Sequence, residues 1–338
     1  MNEKILLNEL MSLKDLSVEQ VGLLIDDILE ERMPASQVAA ALALLSAKGE
    51  SGQEIAIAAQ TVLKKTLLVE QPDYLFGDVV GTGGDGFNTI NVSTLASLVA
   101  ATAGFPVAKH GSVSVSSRCG SADILRALGI DIMQGPKEVR QSLDKNKWCF
   151  LFAPNYHRSF KAVKDIRREL GIKTIFNILG PLVNPLRPPI MLIGVYDPKL
   201  LEHFAVALKD MGRKTALIVH GGGLDELAVH SVSDAVLLKD NKVEKLSIHP
   251  DDLGLKSFAL EQIQGGGVEE NIQISIDLLS GHADEAKSSI VAASAGALLW
   301  LAGKESSLKS GVGLALEIIK SGQTMKLIKE LQEQAYGA

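Results

Sequence analysis

The chain divides by the rhythm of its apolar positions. Up to about residue 66 the apolar residues recur only at helical spacing. Val21, Leu24, Ile25, Ile28 and Leu29 form one stripe, and Ile55, Ile57, Ala58 and Ala59 lie on a later one. Each is preceded by a capping box, Ser17 with Gln20 and Ser51 with Glu54, in which side chains satisfy the first free amides of a helix. Pro34 suits the first turn of a helix between them, where its missing N–H costs nothing. This part reads as a small helical bundle with short connections.

From about residue 75 the rhythm changes. Apolar runs of strand length alternate with helical segments. The expected strands are Asp78–Val80, Pro106–Ala108, Ile130–Met133, Trp148–Ala153, Ile190–Val195 and Thr215–Val219. The helices between them include Ser93–Ala103, Ser121–Leu128 and Lys199–Met211, with Gly104 and Gly129 at C-cap positions. Such alternation predicts a largely parallel sheet with helices on its faces. Val236–Lys239 and Val243–Ile248 read as a hairpin around Asp240-Asn241, and the chain returns to helices from about Asn271. The fold class is therefore α/β: an N-terminal helical domain plus an α/β domain with a largely parallel central sheet. No repeat or low-complexity linker separates them, so they should pack closely.

Composition narrows the setting. The chain has 338 residues, 46% hydrophobic and 22% charged, which is ordinary for a globular enzyme. Aromatics are only 4%, so the core must be built from Leu, Ile, Val and Ala. The net charge of -6 argues against a protein that lives on nucleic acid, which usually carries a basic excess. The two cysteines, Cys119 and Cys149, have neither CxxC nor zinc-ligand spacing. No apolar stretch is long enough to span a bilayer and the N-terminus lacks a signal-peptide core, so a cytoplasmic protein is expected.

Four stretches carry candidate chemistry. Gly81-Thr82-Gly83-Gly84-Asp85-Gly86 follows a strand, and Asn91-Val92-Ser93-Thr94 then opens a helix. Glycines let main-chain amides wrap a phosphate, and the helix N-terminus adds positive potential. There is no Walker lysine and no dinucleotide fingerprint. The second stretch, Lys109 to Asp123, places Lys109, His110, Gly111, Ser112, Ser117 and Ser121 between a strand and a helix, at the end of the sheet where such folds bind ligands. The third, His220-Gly221-Gly222-Gly223-Leu224-Asp225-Glu226, ends in adjacent carboxylates able to hold magnesium already bridged to phosphate oxygens. A bare helix start would account for that pair equally well, were it not for the preceding strand and glycine run. In the fourth, Arg167 is suited to a substrate carboxylate, or to a plain surface ion pair. The Gly180-Pro181 and Asn184-Pro185 pairs read as a rigid turn.

As a set, GTGGD, NVST, KHG, SSRCGSAD, RRELG, FNILGPLVNP and GLDE resemble the anthranilate phosphoribosyltransferase family in order and spacing over nearly the whole chain. The resemblance implies a helical domain over residues 1–70, with a contribution from about 165–185, that forms a homodimer, and a catalytic α/β domain over 71–338. It implies that Gly81, Gly84, Asp85, Thr89, Asn91, Val92, Ser93, Thr94, Lys109, Ser117 and Ser121 bind phosphoribosyl pyrophosphate. By the same likeness Ser93, Asp225 and Glu226 hold Mg2+, and Arg167 takes the carboxylate of anthranilate beside His110, Gly111 and Ser112. His110 and Arg167 are the catalytic candidates. The chain departs from the family pattern at three places. Ser112-Val113 stands where the family reads Asn-Arg, Gly222 where it reads Asp, and His157-Arg158 where it reads His-Pro. The nearest rival reading is a pyrimidine nucleoside phosphorylase, which shares the fold and the Lys-His-Gly loop; the Asp225–Glu226 pair speaks for the transferase. A transferase with another aromatic acceptor, and a nucleic-acid-binding relative of the fold, are the further alternatives.

Overall fold

The computed structural model describes residues 3–113 and 119–336. Four helices come first: α1 (Glu3–Met11), α2 (Val18–Leu29), α3 (Ala35–Lys48) and α4 (Gly52–Lys64). Both capping boxes are formed as the sequence predicts, with Ser17 and Ser51 accepting from Gln20 and Glu54. Pro34 is the N-cap of α3 rather than a residue of its first turn.

The α/β part runs β1 (Gly77–Gly81), α5 (Val92–Thr102), β2 (Val107–Gly111), α6 (Ser121–Ala127), α7 (Pro136–Asn146), β3 (Trp148–Phe152), α8 (Ala153–Tyr156), α9 (Lys161–Leu170), α10 (Ile175–Ile178), β4 (Ile190–Gly194), α11 (Leu200–Asp210), β5 (Thr215–Gly221), β6 (Ser233–Lys239), β7 (Lys242–Ile248), and then α12 (Val268–Leu279), α13 (Glu285–Leu301), α14 (Leu308–Ser321) and α15 (Thr324–Tyr336). The seven strands lie in the order β3-β2-β1-β4-β5-β6-β7. The first five are parallel, and β6 and β7 add an antiparallel hairpin. Asp240 and Asn241, both in the left-handed region at φ 50° and 63°, make its two-residue turn.

Alternate residues of the central strands feed two cores. Val79, Leu192, Leu217 and Val219 pack under α5 and the C-terminal helices. Val80, Met191, Ile193, Ala216 and Ile218 join the other core, which continues without a break into Leu24, Ile28, Leu42, Ile55 and Val62 of α2–α4. The helical part therefore shares a core with one face of the sheet. Contact is close: a Cβ on Gly52 of α4 would come within 2.7 Å of Val206 Cβ on α11. The segment α9–α10 packs against α2 and α3 although it lies far along the chain.

One expected strand is absent. Ile130–Met133 forms no strand and pairs with none in the sheet. Ile130 and Ile132 are buried, which explains their alternation in sequence. Their main chain does not pair, because Ile130 N–H is spent closing α6 on Leu125 O and β3 already forms the sheet edge.

Candidate active site

The carboxyl ends of β1, β2 and β5 bring three of the four stretches together. Asp225 lies in the turn after β5 and reaches under the glycine loop after β1. Its Oδ2 accepts from Gly83 N–H at 2.6 Å. This approach is possible only because two neighbours lack a side chain. A Cβ on Gly81 would fall 2.2 Å from Asp225 Oδ2, and one on Gly194 would fall 1.6 Å from Asp225 O.

Asp225 and Glu226 are not a solvated helix start. Asp225 is 9% exposed, and no helix begins there. Burial raises both carboxyl groups above their ordinary range. For Asp225 the next cause is the charge of Asp85, and for Glu226 it is the charge of Asp225. Glu226 accepts from Ser294 Oγ at 3.2 Å and feels Lys109. Nearby, Asp85 Oδ2 and Asn91 Oδ1 are buried without a hydrogen-bond partner. The neighbouring carboxylates of Asp225, Glu226 and Asp85 and the two orphaned oxygens suit a cation. Among the described residues no group of three or more His, Cys, Asp or Glu is arranged to hold a metal unaided. Magnesium prefers one or two carboxylates supplemented by substrate oxygens and water, and Asp225 and Glu226 can offer such a pair.

The first and second loops meet through side chains. Thr94 Oγ1, on the first turn of α5, donates to Ser121 Oγ at 2.8 Å, and Asn91 Nδ2 donates to Cys119 O at 3.0 Å. Ser93 is half-buried beside them. Val92 points its side chain into the core, so it can offer a ligand only its main chain. Thr89 forms an isolated bridge with Gln264, which anchors the far end of the glycine loop. Ser112 O accepts from Ala122 N–H at 3.3 Å, and a Cβ on Gly111 would press on the Phe150 ring at 2.9 Å. Ser117 lies outside the described residues.

Lys109 and His110 belong to β2 itself and are almost wholly buried. Lys109 Nζ donates to His110 O at 3.1 Å. Burial lowers its pKa against the pull of Asp78 and Glu226. Asp78, buried below it, is pushed up to about 6 by desolvation, which Lys109 and Asn184 partly offset. Asn184 Nδ2 donates to both Asp78 Oδ2 and Ala108 O, bracing β1 against β2. The Asn-Pro pair is thus a brace as well as a turn. His110 Nδ1 faces Gly180 O at 3.2 Å and must carry the proton there, since a carbonyl only accepts. His110 Nε2 then accepts from His157 Nε2 at 3.2 Å. Burial holds both rings neutral, with His157 lowered to about 4.

From His110 a train of rings leads to Arg167. His110 and His157 meet edge-on with centroids 5.1 Å apart, His157 stacks on Phe160 at 5.4 Å, and Phe160 meets Phe176 edge-on at 5.5 Å. Arg167 lies over Phe176 at 6.0 Å. No described carboxylate pairs with it, whereas the adjacent Arg168 pairs with Asp165 at 2.9 Å. Burial alone lowers the Arg167 pKa. The surface-ion-pair reading therefore describes Arg168, and Arg167 is a half-buried cation facing no described anion.

Comparison with known proteins agrees with this geometry. Residues 4–66 match the helical bundle domain of a glycosyl transferase family, and residues 73–325 match its a/b domain. The chain is 46% identical over 309 residues to the anthranilate phosphoribosyltransferase of Sorangium cellulosum, covering 91% of this chain and 89% of that one. It belongs to the anthranilate phosphoribosyltransferase family. The crystal structure of the Thermus thermophilus family member superposes with a TM-score of 0.92 at 36% identity, covering 99% of this chain and 100% of that one. A Saccharomyces cerevisiae member, solved in complex with phosphoribosyl pyrophosphate and magnesium, superposes with a TM-score of 0.87 at 28% identity, covering 98% of this chain and 97% of that one.

Two site residues escape a reading of the sequence. Asp78 reads there as an ordinary strand residue. Lys173, which reaches the glycine loop, gives no signal beyond its place just after the helix-ending Gly171.

Proposed function

We propose that the chain transfers the phosphoribosyl group of phosphoribosyl pyrophosphate to the amine of anthranilate and releases pyrophosphate, a step of tryptophan biosynthesis. The observation that carries this reading is the Asp225 carboxylate, buried beside Glu226 and Asp85 and hydrogen-bonded to Gly83 N–H of the phosphate-type loop. A phosphorylase using plain orthophosphate has no need of a carboxylate pair there. Asp225, Glu226 and Ser93 would hold magnesium. When bound, it neutralises charge gathering on the departing pyrophosphate.

The residues of the chain do the rest. Main-chain amides of Gly84 and Asp85, in the loop that Gly81 opens, with Asn91, Ser93 and Thr94, receive the pyrophosphate and orient ribose C1 toward the acceptor. Thr89, Lys109, Ser117 and Ser121 complete the donor pocket. Arg167 takes the anthranilate carboxylate, and the rings from His110 to Phe176 give its aromatic plane a flat wall. The amine attacks C1 as the C1–oxygen bond to pyrophosphate breaks, and the nitrogen then sheds its proton to the departing pyrophosphate or to water. A neutral aromatic amine is already nucleophilic, so His110 need only stay uncharged and in place.

The helical part, residues 1–70 with about 165–185, is proposed as the dimerisation surface. Support comes from Met11, Leu13, Val18 and Leu23, which are 68, 63, 53 and 41% exposed on or beside α1 and α2. No described helix is long and apolar enough to cross a membrane, and a cytoplasmic setting suits a biosynthetic family.

Pyrophosphate release should be followed with Mg2+, phosphoribosyl pyrophosphate and anthranilate. Robust anthranilate-dependent release supports the reading. Release with another aromatic amine but not anthranilate would favour the altered acceptor loop, Ser112-Val113, as the seat of a different specificity. Cleavage of a pyrimidine nucleoside by orthophosphate would replace the transferase reading altogether.

A further inference from the structure

The glycine loop is held from two sides. Gly83 and Gly84 both lie in the left-handed region, at φ 68° and 79°, so the loop turns sharply at these residues. On its inner side Gly83 N–H is taken by Asp225. On its outer side Gly84 O accepts from Lys173 Nζ at 2.7 Å. Lys173 comes from the segment between α9 and α10, which packs on the helical part, and its own carbonyl accepts from Ser46 Oγ of α3 at 2.9 Å. Its ammonium also sits 3.3 Å from the centroid of the Tyr196 ring. Tyr196 in turn donates its N–H to Thr82 Oγ1 at 3.1 Å, so the ring is fixed to the base of the same loop.

The two grips differ in what a ligand does to them. Asp225 would divide its lone pairs between a metal and Gly83 N–H. The ammonium on the other side has no such competitor. In a trans peptide the C=O and the following N–H point in opposite directions. Pinning Gly84 O on Lys173 therefore turns Asp85 N–H to the side of the loop away from Lys173. Asp85, Asp197 and Asp225 all favour the charged ammonium at this position, although burial lowers its pKa. No carboxylate lies within ion-pair distance of it among the described residues, so it remains a donor to the loop rather than half of a salt bridge.

We propose that Lys173 is a positioning residue of the donor site. It fixes the Gly84–Asp85 peptide so that the loop presents its amides to the pyrophosphate, and it does so from the part of the chain that carries Arg167. The short stretch from Arg167 to Lys173, ending α9 at the left-handed Gly171, thereby links the acceptor cation to the donor loop. This proposal rests on the phosphoribosyl pyrophosphate reading above and goes beyond it in assigning a donor-side role to a residue of the helical lobe.

Lys173 is exposed, and an exposed lysine contact contributes little to folding. A loss confined to binding therefore separates positioning from structure. The variants are Lys173→Met, which keeps the aliphatic stem without a donor, and Lys173→Arg, which keeps both charge and donors. Calorimetric titration of each full chain with magnesium and phosphoribosyl pyrophosphate, without acceptor, gives donor affinity directly. Lys173→Met should weaken it about tenfold, the worth of one charge-assisted hydrogen bond. Its melting midpoint and its Michaelis constant for anthranilate should stay close to those of the parent, and Lys173→Arg should recover most of the affinity. Donor affinity of Lys173→Met within about twofold of the parent, a loss shared equally by both substrates, or no recovery by Lys173→Arg would each overturn the proposal. If the parent itself binds no phosphoribosyl pyrophosphate, the functional reading fails first and this inference falls with it; a binding parent with an indifferent Lys173→Met removes this inference alone.

Discussion

The proposed donor and acceptor sides of the site carry opposite electrostatic debts. On the donor side Asp225 and Glu226 lie beside Asp85, and the charged forms of Asp225 and Glu226 are disfavoured by burial and by the neighbouring carboxylates. On the acceptor side Arg167 is a single cation, disfavoured by burial alone. The first arrangement attracts a cation and whatever anion comes bridged to it. The second attracts one carboxylate against a flat ring. Unbalanced charge of either sign costs folding free energy, and ligand recovers it on binding. On the donor side Gly81 and Gly194 leave no space beside Asp225.

The largest effect should come from breaking the donor side. Asp225→Asn combined with Glu226→Gln should abolish turnover while the fold persists, because bound pyrophosphate loses its counter-charge. Activity indifferent to this change or to a chelator would remove the metal from the reading. Next comes Arg167→Ala, which should raise the Michaelis constant for the acceptor about tenfold or more, since a hydrogen bond to a charged group is worth about 1.5–3 kcal/mol. The constant for phosphoribosyl pyrophosphate should hardly move. Equal shifts for both would place Arg167 outside the acceptor site.

A third expectation concerns pH. Asp225 and Glu226 have folded-state pKa values raised above their ordinary 3.8 and 4.5. Their protonated forms are therefore favoured by the fold. The contribution is fully present below about pH 4, the ordinary carboxyl range, and is lost as pH rises through the raised values. From pH 5 to pH 8 the melting temperature of the metal-free parent should fall relative to that of the double carboxylate variant, since the buried neutral His110 and His157 act in the opposite sense in both. A variant that tracks the parent across this range would mean these groups do not carry the dependence.

The smallest effect tests the altered acceptor loop. Ser offers a shorter hydroxyl where Asn offers a carbonyl and an amide. Ser112→Asn should tighten anthranilate binding by about 0.5–1.5 kcal/mol, with Val113→Arg needed alongside if the two positions couple. Steady-state kinetics on the single and double variants decides it. No gain in either would show a loop tuned to its present acceptor.

Much of the molecule is legible in the order of its residues. Apolar period alone locates the helical part, five parallel strands and the hairpin, because each residue's face is set by local geometry. The glycine loop, the Lys-His-Gly strand end and the Asp-Glu pair are readable as candidates because phosphate and metal chemistry demand those residue types in a short span. Ile130–Met133 misleads, since alternating burial looks the same whether or not the main chain finds a strand partner.

Other features need the third dimension. That Arg167 lacks a described carboxylate and Arg168 has one depends on which side of α9 each occupies against Phe176. The pairing of His110 with His157, and the brace from Asn184 to Asp78, join residues 47 and 106 positions apart. Lys173 reaches Gly84 across 89 positions. By itself the sequence determined most of the elements and the family, because these depend on near neighbours. Only the tertiary structure decided which charges are left unpaired and which side chain holds the loop, because burial and long-range contact arise when distant segments close on one another.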